Sequence, residues 1–168
     1  MTTMHKAADH HAEAATHHAQ AAHFHREASR HYQVGKDYAH AAHQALTAHG
    51  HALRAMAHGQ AARESYAAQE GSPLPSYLTC ASAQPASMAV AAPAILDGPA
   101  HHAVAAAHHE AARLHHKQAG THAAAEHYVR AYHETKYALS HGTHGIFHAD
   151  QAALYQLDHD AHSAAVLV

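Results

Sequence analysis

Cysteine is nearly absent from this chain. Cys80 stands alone, which excludes an intrachain disulfide and a cysteine-built zinc or redox site. Large aliphatic side chains are scarce as well: Leu, Ile, Val and Phe together make 20 of 168 residues, whereas alanine makes 47. Burial contributes roughly 0.8 kcal/mol per CH₂ and alanine has one methyl to bury, so a leucine-filled core is out of reach. No apolar run approaches the ~20 residues that cross a bilayer. Met1 to His10 includes Thr2, Thr3, His5, Lys6 and Asp9 without an apolar stretch, so no secretory signal is expected and the cytoplasm is the expected compartment. Lys and Arg number 10 against 13 Asp and Glu, too weak a balance for nucleic-acid binding at neutral pH.

What the chain has in excess is histidine, 27 residues spread from His5 to His162 in runs no longer than two, which is unlike a purification tag. The formal charge of −3 with neutral histidine becomes +24 once all 27 are protonated. Unperturbed histidine titrates near pH 6.5, so the charge changes steeply just below neutrality.

Proline is confined to positions 73, 75, 85, 93 and 99, which marks residues 71–99 as a connection and leaves the flanks free to form helices. Its apolar residues, among them Leu74, Tyr77, Leu78, Val90, Ile95 and Leu96, favour a crossover packed along a bundle over a bare linker. Residues 4–70 read as one helix hairpin, Met4 to Val34 and Lys36 to Glu70, with Gly35 and Gly71 as stops. Residues 100–165 read as a second: Gly98-Pro99 starts a helix that Gly120 ends, and Thr121 caps the next. Gly142 and Gly145 are expected to bend or break that last helix, leaving Ile146 to Ala165 as a separate terminal helix. A shift of 84 residues superposes the hairpins, pairing His17 with His101, His18 with His102 and His25 with His109, although Phe24 then faces His108 and the turn glycines fall one position out of step. The expected fold is all-α: one four-helix bundle made of two duplicated hairpins.

The first helix repeats every seven residues. Ala7, Ala14, Ala21 and Ala28 form a seam, bordered on one side by His10, His17, Phe24 and His31 and on the other by His11, His18, His25 and Tyr32. The third helix repeats the scheme: Ala105, Ala112 and Ala119 lie between His101, His108, His115 and His102, His109, His116. At ~100° per residue both sets lie on one face, and small seam residues let helices approach closely. The second helix adds a stripe of His40, His43, His51 and His58, with His49 on the far side and expected to be exposed. The fourth adds His122, His133 and His144, joined by His141 and His148.

A lone histidine on such a face would be solvated filler. Doublets that return at 10/11, 17/18, 101/102, 108/109 and 115/116 are a different matter, because filler should drift among Gln, Lys and Glu. With no competing leucine face, the histidine and alanine face is the expected interior. Buried imidazole needs partners for its nitrogens, and transition metals supply them. Residues seven apart lie about 10.5 Å apart along a helix, too far to share an ion at Zn–N distances of ~2.0–2.1 Å. Ligand sets must therefore be assembled between helices, rung by rung, apart from the local pairs His40/His43, His141/His144, His144/His148 and His159/His162.

The expected function is multi-site metal binding for storage or buffering, with copper or zinc favoured and nickel possible, since imidazole suits all three. No membrane partner is expected, and alanine-seamed hairpins can also pair between chains as homo-oligomers. No catalytic motif stands out: Glu-x-x-His and His-Glu-x-x-His are absent, as is a glycine-rich phosphate loop, so the chain is expected not to be an enzyme. Two alternatives remain: a pH-gated binder of nucleic acid or polyphosphate, active below about pH 6, and a bis-histidine haem bundle.

The blocks His10-His11 to His17-His18, then Gly35-Lys36-Asp37 and Ala48-His49-Gly50-His51, resemble short His/Ala-rich bacterial helical proteins of unknown function, duplicated here. The second hairpin diverges, with Ser140-His141-Gly142-Thr143-His144 in the corresponding stretch. The resemblance implies helical hairpins and carries no activity. In general plan the chain is also similar to cytosolic copper-storage four-helix bundles, which line their cores with cysteine; this is an analogy of design alone.

Overall fold

The computed structural model describes the backbone of residues 3–35, 37–69 and 96–166, and side chains within 6–35, 37–66 and 96–158. Four helices account for nearly all of it: α1 (Thr3–Val34), α2 (Tyr38–Gln69), α3 (Gly98–Ala124) and α4 (Tyr128–Val166). The described residues contain no strand. Residues 70–95, with Cys80 and most of the proline-rich connection, lie outside the description.

Local chemistry sets the helix ends. Gly35 takes a left-handed φ of +68°, and Asp37 then caps α2 by accepting from the His40 N–H at 2.9 Å. Asp97 caps α3 through Ala100 N–H at 2.8 Å, and Pro99 sits in the first turn, where its missing donor is harmless. The second hairpin turns later than the glycine pattern predicts. Gly120 and Thr121 lie inside α3, and Thr121 returns its hydroxyl to the Lys117 carbonyl instead of capping a new helix. The turn falls at Ala125–His127: Glu126 adopts φ +61°, its N–H meets Ala123 O, and His127 N–H meets His122 O at 2.8 Å. That double return of N–H groups to the last helical carbonyls ends a helix without glycine.

Helix α4 runs unbroken through Gly142 and Gly145, so no separate terminal helix exists over 146–165. The helices pack α1 on α2, α3 on α4, and α1 on α3, while α2 and α4 touch more sparingly. Because Tyr66 near the end of α2 meets His11 near the start of α1, and Ser29 near the end of α1 bonds Pro99 O at the start of α3, α2 ends at one end of the bundle and α3 begins at the other.

The two turns also reset the duplication. Gly35 and Glu126 are equivalent, which superposes α1 on α3 with an offset of 91 and α2 on α4 with 90 (Tyr38 on Tyr128, His51 on His141). The 84-residue offset is therefore one heptad short. A seven-residue pattern looks the same after a slip of seven, and only the turns reveal the difference.

The interior is alanine and histidine. Ala7, Ala14, Ala21, Ala28, Ala105, Ala112 and Ala119 are fully buried, together with Ala41, Ala48, Ala52, Ala55 and Ala62 of α2 and Ala131 and Ala138 of α4. A cluster of Tyr66, Tyr128 and Tyr132 around Ala7, Ala123 and Ala131 closes one end. The largest fully buried side chains are six histidines and Thr135.

Candidate functional site: three imidazole ladders

The two histidine rows of α1 and α3 do different things. His11, His18 and His25 of α1 interleave with His102, His109 and His116 of α3 as one buried column in the bundle centre. Ring centroids follow one another at 5.3 Å (His11/His116), 5.4 Å (His116/His18), 5.3 Å (His18/His109), 5.5 Å (His109/His25) and 5.4 Å (His25/His102). Tyr66 and Tyr32 extend the stack at its two ends. Seven-residue spacing makes this possible, because each helix offers a ring every two turns and the antiparallel partner fills the gap.

The other row faces the hairpin partner. Between α1 and α2, His10 meets His58 and His17 meets His51; between α3 and α4, His101 meets His148 and His108 meets His141. His115 bonds Glu134 at 2.7 Å, and His144, although exposed, lies tilted 5.3 Å from His108. These flanking ladders are half-buried and open to solvent along one side.

Six cross-helix pairs share one geometry. The Nδ1···Nδ1 distances are 3.2 Å (10/58), 3.0 Å (17/51), 3.1 Å (11/116), 3.3 Å (25/102), 3.0 Å (101/148) and 3.1 Å (108/141). In each, one ring donates Nδ1–H and the other accepts, which requires both to be neutral or one to be charged. His11 also bonds Tyr66 Oη at 2.7 Å through Nε2, with Thr135 Oγ1 3.4 Å away.

The middle of the column is different. His18 and His109 have no protein partner on either nitrogen, and His25 and His116 have none on Nε2. An unpartnered buried polar atom costs about 1–3 kcal/mol, so these six sum to about 10 kcal/mol, comparable with a whole domain's stability of ~5–15 kcal/mol.

Burial sets the protonation of the column. Desolvation, with smaller contributions from neighbouring histidines, lowers His11, His102 and His109 to about 4, His116 to about 3 and His18 to about 2, and holds His25 well below its usual range. The column is therefore neutral at pH 7. In the flanking ladders His108 is lowered to about 4, and His17, His51, His141 and His148 are lowered, again by desolvation first and like charges second.

The wall opposite the column is bare backbone. A methyl built on Gly145 would lie 2.6 Å from His109 Cε1, one on Gly59 3.1 Å from His116 Cε1, and one on Gly142 3.1 Å from His18 Cε1 and 2.5 Å from Met56 Sδ. Gly142 and Gly145, expected to bend or break the last helix, instead let α4 close over imidazole edges, as Gly59 does for α2.

Not every candidate joins a ladder. His31 and His40 meet edge to face at 4.5 Å near the first turn. His122 stays at the second turn beside His127, and His43 and His133 are exposed. His49 departs from its expected exposure: it is half-buried, 4.0 Å from Asp150, on the side of α2 that faces α4. The side chains of His159 and His162 lie outside the described residues. Glu134, Tyr66 and Met56 escaped the sequence reading. Glu134 alone left a signal, standing seven residues before His141, while Tyr66 and Met56 meet partners far away in sequence. Among the described residues, no three His, Cys, Asp or Glu side chains converge as a ligand set for one ion. No family model, curated protein or solved structure matches the chain.

Proposed function

We propose that the protein binds several transition-metal ions along its imidazole ladders and acts as a store or buffer, with copper and zinc as the favoured ions and no catalytic role. The observation that carries this reading is the repeated cross-helix Nδ1 pair at 3.0–3.3 Å. With Zn–N bonds of ~2.0–2.1 Å, two ligands at a tetrahedral angle sit about 3.3–3.4 Å apart, so small adjustments would turn these hydrogen-bonded pairs into chelating edges. A paired proton and a metal ion are alternatives at each rung.

The flanking ladders suit divalent ions best. Carboxylates accompany them, Glu134 at His115 and Glu13 one turn before His17 on α1, and offset the positive charge a divalent ion brings. They also have solvent access for loading.

Native mass spectrometry and calorimetry with Zn²⁺ and Cu²⁺ test the reading. At about pH 8 several ions per chain are expected, and loss of binding in acid as protons compete for the imidazoles and favour the unfolded chain. Bound metal should raise the melting temperature, since a ligand of the folded state at a hundredfold excess over Kd adds about 2.7 kcal/mol. Fewer than one ion per chain, or a melting curve indifferent to metal and chelator, overturns it.

A further inference from the structure

We infer that the four central rings of the inner column, His116, His18, His109 and His25, offer neighbouring ring pairs that bind a soft monovalent metal ion, Cu⁺ or its surrogate Ag⁺, at a place distinct from the divalent sites of the flanking ladders. The inference rests on the metal-loading reading and adds to it a separate place and a separate class of ion.

The donors are in position. The six unpartnered nitrogens of the column belong to these four consecutive rings. His25 and His116 each use Nδ1 in a pair with His102 and His11, so their Nε2 atoms carry lone pairs whenever Nδ1 is the donor. His18 and His109, being neutral, each carry one lone pair in either tautomer. With Nδ1 as the donor in His25 and His116, each of the three successive ring contacts, at 5.3–5.5 Å, joins two buried rings that each carry a lone pair.

The charge of the ion follows from the surroundings. The four rings are at most 0% exposed, and no carboxylate bonds or pairs with any of them among the described residues. Placing charge there without a counter-charge is opposed by an energy that grows with the square of the charge, so a monovalent ion is strongly preferred to a divalent one. Its softness follows from Met56. The thioether and the Cε1–Nε2 edge of His18 converge on the same patch of α4, at 2.5 Å and 3.1–3.5 Å from where a Gly142 methyl would sit. Thioether sulfur selects Cu⁺ among the ions imidazole accepts. Binding adds an ion to neutral lone pairs and requires no electron transfer and no proton release.

The test uses the full apo chain, titrated anaerobically and without chloride with Ag⁺ or, separately, with Zn²⁺, and read by native mass spectrometry and calorimetry. The double variant His18→Leu/His109→Leu should bind at least one Ag⁺ fewer per chain with Zn²⁺ stoichiometry unchanged. It should also melt higher than the wild type in its apo form, because apolar groups replace unpartnered buried ones. Met56→Leu should weaken the tightest Ag⁺ site at least tenfold and leave Zn²⁺ affinity alone. Nitrogen-correlated NMR of wild-type protein gives a readout independent of folding in the variants: one equivalent of Ag⁺ should shift the ring nitrogens of His18, His25, His109 and His116 before those of His101 or His108. An unchanged Ag⁺ count in the folded double variant, or first shifts in the flanking ladders, overturns the inner site while metal loading stands. Failure of wild-type protein to bind either ion overturns both.

Discussion

Gly35 and Glu126 occupy the same left-handed conformation, φ +68° and +61°, at the tips of the two hairpins. Glycine reaches that region freely, whereas a side chain is opposed there by about 1–2 kcal/mol. Glu126 is doubly ill-placed, because its carboxylate also sits at the negative end of the α3 dipole. Glu126→Gly should therefore stabilise the protein, by up to about 1 kcal/mol after the greater freedom of glycine in the unfolded chain is deducted. A shift of the urea midpoint to lower concentration would contradict this account of the turn.

The fold and its inward face were legible because a helix exposes its period. Doublets at 10/11, 17/18, 101/102 and 108/109 recur on one face, and an alanine seam between them leaves no rival interior. That one row would form a central column and the other two flanking ladders was not legible, since the rows border the same seam at similar angles, about 60° and about 40° to either side. The 84-residue offset falls one heptad short for a related reason: His17 matches His101 as well as it matches His108. Gly120, Gly142 and Gly145 lie inside helices, because glycine marks either a stop or a close approach and the choice depends on what lies opposite. For Gly145 it is the edge of His109, a residue 36 positions away.

Glycine roles can be separated by adding one methyl. At Gly145 the new carbon would meet His109 at 2.6–2.9 Å, and the stacked rings of His18 and His25 keep that imidazole from retreating. Gly145→Ala should destabilise by about 1–3 kcal/mol from overpacking, outweighing a helix-propensity gain of up to about 1 kcal/mol. Gly50 has nothing within 4 Å, so Gly50→Ala should show the propensity gain alone. Thermal melts that move in the same direction for both would refute the close approach at the column.

Acid should unfold the apo protein early. The six column histidines titrate well below the ordinary value of 6.5 when folded, so below that value the unfolded chain binds more protons and stability falls with pH. Their stabilisation is complete above pH 6.5 and diminishes continuously toward the folded values of about 4 and lower. Each fully contributing group changes stability by about 1.4 kcal/mol per pH unit, and six give about 8 kcal/mol per unit against a total of ~5–15 kcal/mol. A cooperative loss of helicity between about pH 5 and 6 is expected by circular dichroism. Full helicity retained at about pH 4 would mean the column is not a set of buried neutral rings.

The two flanking ladders should differ in strength, and the difference centres on one pair of equivalent positions. His144 joins the α3/α4 ladder 5.3 Å from His108, whereas the matching position of α2 is Arg54, whose charge adds to burial and neighbouring histidines in lowering His17 and His51. A fixed cation repels a bound metal ion and offers it no lone pair. Arg54→His should tighten Zn²⁺ at His17/His51 by about tenfold, equivalent to 1.4 kcal/mol, and His144→Arg should weaken the α3/α4 ladder by a similar factor. The exchange of order between the two ladders is measurable by following their histidine resonances during a Zn²⁺ titration. If both variants leave the order of loading as it was, the ladders do not bind metal as cross-helix rungs, since a rung must feel the charge of the residue beside it.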